Sequence, residues 1–484
     1  MDLRSADLRF VVPHEVRRAV VLGADRDAGA ARLAGGLARA GVDLLAPAGV
    51  LPEVDLVVAP AGEHRPALEL AARTHLLLGP GSRTPGRSSR PLLVHRPGAT
   101  PATVVPLRSS LALRHHLRDL APARGGRGRL RDAALLAAGR GPSAVAGLLP
   151  HWSSARVVRR RGADLRPGLL RAAAEVVPAL AGEWVLALGA GDELQRAVFH
   201  VLRPGRPGWV VKFSRVAGYD SSMVRDEVGL ALVAAAGPAT RAHAPAHLGR
   251  FELHGVAASV ESAGAGPQLL QALPDGPDDV LEAVVAWVQA LGAETRRPAS
   301  ALGPELSRLQ GVLERDGLAL AAPADLVQRV AELPAVLQHN DLGSWNILSD
   351  GRSFTVVDWE SASPAGLPLW DLIYFAADVL ARLDGPADPA VLLARAVDVF
   401  SGRSPRSALL FRWVRTAAAA LGLPLEAVGP TAALCWLHHG QSAGRRQESL
   451  AGAAPAPLGH LALMAPAWFD HPGLGATWPA LFRS

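Results

Sequence analysis

The chain has 484 residues, which at ~150 residues per domain predicts about three structural units. Apolar residues make up 49% and charged residues 19%, a balance that supplies large cores and excludes disorder throughout. Cys435 is the sole cysteine, so a disulfide framework, a cysteine-based metal cluster and a CxxC redox pair are excluded.

The formal net charge of +6 at pH 7 comes with a skewed composition. Among the 50 Lys and Arg residues only Lys212 is a lysine, and the chain has two asparagines, Asn340 and Asn346. Such a skew indicates coding bias. We therefore expect no nucleic-acid partner, with binding through a basic patch as the alternative. The chain shows neither a signal-peptide core nor a run of 18 apolar residues, which predicts a cytoplasmic protein without a membrane span.

Residues 1–120 alternate apolar runs with Ala-rich stretches, a pattern typical of an α/β unit. The predicted elements are Arg18–Leu22, Ala28–Ala40, Val42–Leu45, Asp55–Ala59, Pro66–Arg73 and His75–Leu78. We interpret this region as a Rossmann-like module of unknown role. The turn from Gly23 to Asp27 lacks a G-x-G-x-x-G pattern, so a dinucleotide site has no support. Residues 121–168 are rich in Arg and Gly and predict a solvated basic connector.

The remaining chain predicts two lobes, which makes the whole a multi-domain α/β and α+β protein. Residues 169–262 predict a five-stranded antiparallel lobe, with strands at Trp184–Leu188, Arg196–Leu202, Trp209–Phe213, Arg250–Leu253 and Val256–Glu261. Residues 263–484 predict a mainly helical lobe, with helices at Asp278–Thr295, Glu305–Glu314, Leu326–Leu333, Leu369–Leu383, Ala390–Phe400, Ser407–Leu421 and Leu425–Gln441. We expect a fragment starting near Leu169 to fold alone.

The segment from Gln338 to Trp359 places a histidine, two acids and an amide at fixed spacing. It contains His339-x-Asp341, then Asn346 five residues later and Asp358 twelve beyond that. Phosphoryl transfer needs a carboxylate that orients and deprotonates an acceptor hydroxyl, and oxygen ligands that hold Mg²⁺ against the phosphates. Asp341 suits the first role, and Asn346 and Asp358 suit the second. Both asparagines of the chain fall in this segment, which favours a functional role.

These residues resemble the catalytic loop (338–348) and metal loop (357–360) of the aminoglycoside phosphotransferase and choline kinase branch of the kinase-like fold. The family pattern is H-x-D-x-x-x-x-N, a strand, and D-W-E or D-x-D. The resemblance is clear from about Glu183 to Tyr374 and implies a bilobal kinase-like domain. It implies ATP as the phosphate donor, with GTP as the alternative, together with Mg²⁺. It also implies that His339 and Asp371 support the catalytic loop structurally.

The resemblance further implies which residues of the first lobe bind the nucleotide. Lys212, in the third strand of that lobe, is assigned to the α- and β-phosphates, and its survival as the single lysine favours that role. The turn Gly189-Ala190-Gly191 offers backbone N–H groups to phosphate oxygens. The link Glu261-Ser262-Ala263 is expected to receive adenine on its backbone.

The acidic partner of the lysine is expected on the helix that follows it. Glu227 fits best, because Val224, Val228 and Leu232 place it beside a predicted buried face. Asp226 is the rival.

The pattern departs from that of protein kinases. Gly343 stands where serine/threonine kinases place a lysine, and only twelve residues separate Asp358 from Asp371, too few for an activation segment. We therefore predict a small-molecule kinase that moves the γ-phosphate to a hydroxyl of a sugar, an amino alcohol or an antibiotic-like compound. The alternative is a non-catalytic kinase-like scaffold or regulator, against which the intact acidic residues and Lys212 argue.

Overall fold

The computed structural model describes residues 4–46, 54–60, 63–69, 72–78, 87–95, 102–107, 110–120, 152–188, 196–204, 206–216, 218–273, 278–317, 322–449, 459–471, 474 and 478. The chain divides into two compact units: unit 1 is Met1–Met223 with Ala246–Ala263, and unit 2 is Val224–Pro245 with Gly264–Ser484. No single helix among the described residues is long and apolar enough to cross a membrane. One pair bent by 112° passes that test only when its two helices are counted together.

Unit 1 is built on one mixed sheet, in which the described residues form twelve strands. The strands are β1 Arg18–Val21, β2 Asp43–Leu44, β3 Val54–Ala59, β4 Ala72–Leu78, β5 Arg87–His95, β6 Thr103–Pro106, β7 Trp152–Arg160, β8 Glu183–Ala187, β9 Ala197–Arg203, β10 Arg206–Phe213, β11 His247–Leu253 and β12 Val256–Ser262. Their order is β11-β12-β10-β9-β8-β6-β5-β7-β4-β3-β1-β2. The described helices of this unit are α1 Ala28–Arg39, α2 His64–Glu69, α3 Ser110–His115 and α4 Gly168–Val176. The predicted mixed α/β class is confirmed.

The first four strands run parallel, in the order β2-β1-β3-β4. Helix α1 connects β1 to β2, and its N-cap Asp27 accepts the N–H of Ala30 at 2.7 Å, which satisfies one of the free donors of the first turn. A separate Rossmann-like module is not confirmed, because β4 pairs antiparallel with β7 and the sheet continues from there.

The predicted five-stranded lobe is wrong as a separate sheet. Strands β8 to β12 do form and pair antiparallel. However, β8 also pairs with β6, which sets Thr103 opposite Ala187 and Val104 opposite Leu186. The five strands are therefore one end of the twelve-stranded sheet. Alternating apolar residues indicate which face of a strand is buried, but they do not identify the strand at its other edge.

The predicted basic connector also differs from the structure over its second half. Strand β7 lies inside the sheet between β4 and β5, and its side chains Ala155, Val157 and Val158 are buried. The arginines around these apolar positions are the reason why the sequence predicted a solvated connector instead of a buried strand. The first part of the predicted connector, residues 121–151, lies outside the described residues, and the boundaries at 120 and 168 stay predictions.

The 3₁₀ segment Arg4–Val11 contacts the end of β10 through Phe10. The rings of Phe10 and Phe213 meet edge to face at 4.8 Å between centroids. Asp7 and Arg215, 1% and 2% exposed, form an ion pair with 2.5 Å between Oδ2 and Nη2. The sheet and its N-terminal segment therefore share one apolar core.

We expect a chain that starts near Leu169 to be insoluble or unfolded, contrary to the expectation from sequence. Such a chain would lose β6 from the side of β8, and Leu8 and Phe10 from the core that holds Phe213. Exposed strand edges and apolar surface promote aggregation. The measurement is soluble yield and thermal unfolding beside the full chain. A soluble fragment with cooperative unfolding would contradict the shared core.

Asp7→Ala should destabilise the protein by about 3 kcal/mol or more, because it leaves the buried Arg215 guanidinium without its carboxylate. Urea unfolding curves would measure the loss. The matched control is Asp25→Ala, since Asp25 pairs with Arg26 at 3.2 Å with both side chains more than 70% exposed. Exposed pairs contribute little, so the control should unfold like the wild type. Equal curves for Asp7→Ala and the control would contradict the role of the buried pair.

Unit 2 is mainly helical. Its described helices are α5 Ser221–Ala234 (which begins at the end of unit 1), α6 Pro238–Arg241, α7 Leu269–Ala272, α8 Asp278–Glu294, α9 Gly303–Val312, α10 Trp370–Arg382, α11 Pro389–Phe400, α12 Ser407–Ala420, α13 Leu425–Ser449 and α14 Met464–Asp470. Two short antiparallel sheets join β13 Val336–Gln338 to β16 Ser363–Gly366, and β14 Ile347–Ser349 to β15 Phe354–Val356. The predicted helix Leu326–Leu333 is wrong: only a 3₁₀ turn, Gln328–Val330, forms there.

Helix α10 is the internal support of unit 2. All residues from Trp370 to Ala381 are buried, as expected for a helix that is apolar on most of its faces. The indole N–H of Trp370 donates to the carbonyl of Thr431 at 2.9 Å, which ties α10 to α13. Polar side chains of α10 are therefore held in place by packing on every side.

Candidate active site

The catalytic loop leaves the end of β13 and is bound at once by Asp371 of α10. Asp371 Oδ2 accepts the N–H of His339 at 2.7 Å, and Oδ1 accepts the N–H of Asn340 at 2.9 Å. Burial raises the pKa of Asp371, while His339 and the two N–H groups oppose that rise. Asn340 has a φ of +61°, a left-handed conformation that asparagine adopts more readily than most residues. One carboxylate thus fixes the direction in which the loop starts.

His339 ties the loop to the strand that precedes the metal loop. Its side chain is fully buried, its Nδ1 accepts the N–H of Asp341 at 3.2 Å, and its Nε2 lies 3.0 Å from the carbonyl of Val357. This pattern requires the proton on Nε2, which donates to that carbonyl. The ring also meets Trp359 edge to face at 4.8 Å.

Asp341 is held by donors on both carboxylate oxygens. Asn346, at the end of the 3₁₀ turn Ser344–Asn346, donates from Nδ2 to Asp341 Oδ2 at 3.0 Å and to its backbone carbonyl at 2.9 Å. The hydroxyl of Tyr374 lies 3.4 Å from Oδ1. Burial raises the pKa of Tyr374 well above its usual value, so that hydroxyl stays a donor. The Asn346 amide turns its hydrogens to Asp341, which leaves its oxygen for a cation.

Asp358 has a left-handed backbone, with φ +68° and ψ +65°. Such a conformation is costly for a residue with a Cβ and persists only where the surroundings impose it. Trp359 provides that constraint: it is fully buried, its backbone N–H donates to Asp226 Oδ1 at 2.8 Å, and its indole N–H donates to the carbonyl of Val356 at 3.0 Å. The tryptophan therefore anchors the turn that presents Asp358.

Helix α5 approaches this turn closely at Gly229. A Cβ on Gly229 would lie 2.2 Å from the carbonyl oxygen of Trp359 and 2.8 Å from its Cβ. Only glycine permits this distance between the helix and the turn.

Gly229→Ala should destabilise the protein by about 1–3 kcal/mol, because the added methyl group has to displace backbone atoms. In an open helix the same change would be favourable. The control is Gly311→Ala in α9, where the nearest atom to the new Cβ is the flexible end of Arg315 at 3.4 Å. Thermal unfolding of the two variants measures the difference. If both variants matched the wild type, the close approach would not constrain the turn.

Lys212 of unit 1 is buried against an acid on the neighbouring strand. Its Nζ lies 2.9 Å from Glu261 Oε2, and the two residues are 8% and 2% exposed. In the register of β10 and β12, Lys212 is opposite Ser259 and Glu261 is opposite Val210, so the pair is diagonal on one face of the sheet. The sequence prediction gave Glu261 a role only through its backbone. The alternation of both strands was the signal that could have revealed its side chain.

The other predicted nucleotide contacts of unit 1 are Gly189, Gly191 and Ala263. Gly189 and Gly191 lie outside the described residues. The N–H of Ala263, in the link expected to receive adenine, donates to the carbonyl of Gly208 at 3.2 Å, so the sheet already uses this donor.

The reasoning that favoured Glu227 over Asp226 rested on the wrong face of α5. Val224 and Val228, expected to be buried, are 38% and 53% exposed. The buried face instead contains Asp226, which is 1% exposed, while Glu227 is half-buried. The pairing of Glu227 with the lysine stays a prediction.

The residues present fit a phosphate-bound cation better than a resident metal. The described parts of the chain contain no group of three or more His, Cys, Asp or Glu placed to hold a metal ion. Mg²⁺ on a nucleotide needs only one or two protein oxygens, because phosphates and water supply the rest. The amide oxygen of Asn346 and the carboxylate of Asp358 meet that need. Their segments lie together, since the N–H of Val357 donates to the carbonyl of Asn346 at 2.8 Å.

Residues 185–409 match the model of the Phosphotransferase enzyme family. This match covers the predicted phosphate-binding lysine, the catalytic loop and the metal loop, and it confirms the resemblance inferred from the loop sequence. No curated protein matches the chain.

Solved structures with similarity to this chain include three phosphotransferases. A glucosamine kinase in complex with glucosamine, ADP and inorganic phosphate is 17% identical, covering 64% of this chain and 83% of that one, with a TM-score of 0.34. An aminoglycoside phosphotransferase from Streptomyces rimosus is 18% identical (55% and 96% covered, TM-score 0.31). A macrolide 2'-phosphotransferase from Brachybacterium faecium is 17% identical (63% and 99% covered, TM-score 0.32).

Proposed function

We propose that the protein is an ATP-dependent phosphotransferase that moves the γ-phosphate to a hydroxyl group of a small molecule. The observation that supports this most is the Asp341–Asn346 pair. Asn346 donates from its amide nitrogen to the carboxylate and to the backbone carbonyl of Asp341. In the proposal the carboxylate is for an acceptor hydroxyl, and the amide oxygen of Asn346 is for a cation. Phosphoryl transfer requires these two elements at neighbouring positions.

In this proposal Asp341 orients the acceptor hydroxyl and takes its proton as the oxygen attacks the γ-phosphorus of ATP, whose bond to the bridging oxygen breaks so that ADP leaves. Asn346 and Asp358 would hold Mg²⁺, which would neutralise charge on the transferred phosphoryl group. His339 and Asp371 contact no reactant and serve to position the loop. Lys212 binds the α- and β-phosphates. The buried carboxylate of Glu261 balances the charge of the buried Lys212 ammonium group. GTP is the alternative donor.

For the acceptor we propose a neutral or anionic hydroxyl compound. Residues 381–484 contain nine arginines and six acids, whereas a polyamine antibiotic calls for a cluster of carboxylates. A sugar or a glycan precursor fits this balance best. We also propose that the protein is located in the cytoplasm.

The test is a screen of purified protein with Mg-ATP against sugars, amino alcohols and aminoglycoside and macrolide antibiotics, with release of ADP as the readout. We expect ADP formation that depends on one acceptor class and on Mg²⁺. Nucleotide binding without turnover on any acceptor would favour the non-catalytic scaffold. Failure to bind any nucleotide would contradict the phosphotransferase and also leave the scaffold or regulator as the alternative.

Asp341→Ala and Asp358→Ala should each abolish phosphoryl transfer but differ in nucleotide binding. Loss of Asp358 removes a metal ligand and should weaken Mg-ATP binding by about tenfold or more, whereas loss of Asp341 should leave it nearly intact. Calorimetric titration with Mg-ATP separates the two. Equal losses of affinity would contradict the assigned roles.

Lys212→Arg should lower turnover by about tenfold or more, equivalent to at least ~1.4 kcal/mol of transition-state stabilisation. Arginine keeps the charge, but its planar fork does not replace a compact ammonium group in a buried pocket. Arg215→Lys looks like a natural control in the sequence, but Arg215 is buried against Asp7. The control is therefore Arg250→Lys, at a partly exposed pair with Asp220, which should retain activity. Normal turnover by Lys212→Arg would contradict the assignment of Lys212 to the phosphates.

A further inference from the structure

Helix α10 binds the catalytic loop at a second place, one that the loop sequence does not reveal. Asp378 is fully buried, and its Oδ2 accepts the backbone N–H of Ser344 at 2.9 Å. Asp371 and Asp378 are seven residues apart, two turns or about 10 Å along the same face of the helix. One acid therefore holds the start of the loop, and the other holds its second half.

The N–H that Asp378 accepts is the first donor of the 3₁₀ turn Ser344–Asn346. The N-cap of this turn, Gly343, has no side chain and makes no capping hydrogen bond, while Ser344 is only 5% exposed. A buried N–H without an acceptor is costly. Asp378 supplies from another helix the acceptor that a capping residue would normally provide.

The charge of Asp378 is balanced inside the protein. Its other oxygen, Oδ1, accepts from Arg382 Nε at 2.6 Å. His460 lies 3.9 Å from the same oxygen, but burial lowers the pKa of His460 to about 4, so the imidazole is neutral near pH 7. Arg382 therefore pairs with the carboxylate oxygen that does not accept from Ser344, and Oδ2 is left to the turn.

We propose that Asp378 is a positioning residue for Asn346: it caps the turn whose last residue directs one side of its amide at Asp341 and leaves the other for the metal. The inference rests on the proposed function where it assigns Asn346 to Mg²⁺. The role proposed for Asp378 requires no contact with nucleotide or acceptor, because it acts through Ser344 and the turn.

The experiment compares Asp378→Ala with Arg382→Met in the full-length chain. Arg382→Met removes the ion pair but leaves the Asp378–Ser344 hydrogen bond, so it serves as the matched control for stability. The first readout is hydrogen–deuterium exchange of peptides covering residues 341–349, which needs no ligand. The second is the affinity for ADP with Mg²⁺ and with EDTA, measured by calorimetry.

In Asp378→Ala we expect exchange in residues 341–349 to accelerate by about tenfold or more, and the gain in ADP affinity from Mg²⁺ to fall by a similar factor. ADP affinity in EDTA should stay near that of the wild type. Arg382→Met should change the first two readouts much less, even where its melting temperature falls as far. A general structural role would predict the same changes in both variants, and that result would overturn the proposal.

Asp378→Asn keeps the proposal testable if the alanine variant does not fold. Its neutral amide oxygen makes a weaker hydrogen bond to the N–H of Ser344 than a carboxylate does, so the same changes should appear with smaller size. Wild-type exchange in residues 341–349 of this variant would overturn the proposal. If the wild type binds no ADP at all, the proposed function fails, and the exchange measurement alone decides the positioning role.

Discussion

The bond between the Asp371 carboxylate and two successive backbone N–H groups is the constraint on which the candidate site depends. It fixes His339 and Asn340 against a helix that is buried over twelve residues. A bidentate contact of this kind sets both position and direction, because two hydrogen bonds to one planar group leave little rotational freedom. The left-handed Asn340 then turns the chain so that Asp341 follows at a defined angle.

Beyond Asn340, further hydrogen bonds connect the residues of the candidate site in sequence. His339 reaches the strand before Asp358, Asn346 holds Asp341, and Trp359 imposes the backbone of Asp358. Every one of these contacts joins a side chain to a backbone group or to another side chain inside unit 2. Pre-organisation of this kind suits phosphoryl transfer, in which the protein contributes position and electrostatics more than covalent chemistry.

The contacts among the loop residues could be predicted from the sequence more readily than the strand order of the sheet, and the difference has a physical cause. His339, Asp341, Asn346 and Asp358 lie within twenty residues, so their spacing alone brings them together once a turn and a hairpin form. The partners of β8 and β7 are set by packing across distant segments, which local periodicity does not encode. Local periodicity was misleading on α5 as well, because Val224 and Val228, which were predicted to be buried, are exposed. The buried acid is Asp226, the rival candidate in the sequence, and its carboxylate accepts the backbone N–H of Trp359.

The ion pair between Asp7 and Arg215 cannot form until almost half of the chain has been synthesised. Its partners are 208 residues apart, and translation at roughly 5–20 residues per second separates their synthesis by roughly 10–40 s. During that interval Leu8 and Phe10 have no strand β10 to cover them. The last strands of the sheet, in residues 246–263, follow only after part of unit 2 has been made. Closure of unit 1 is thus a late, non-local event of the slow kind.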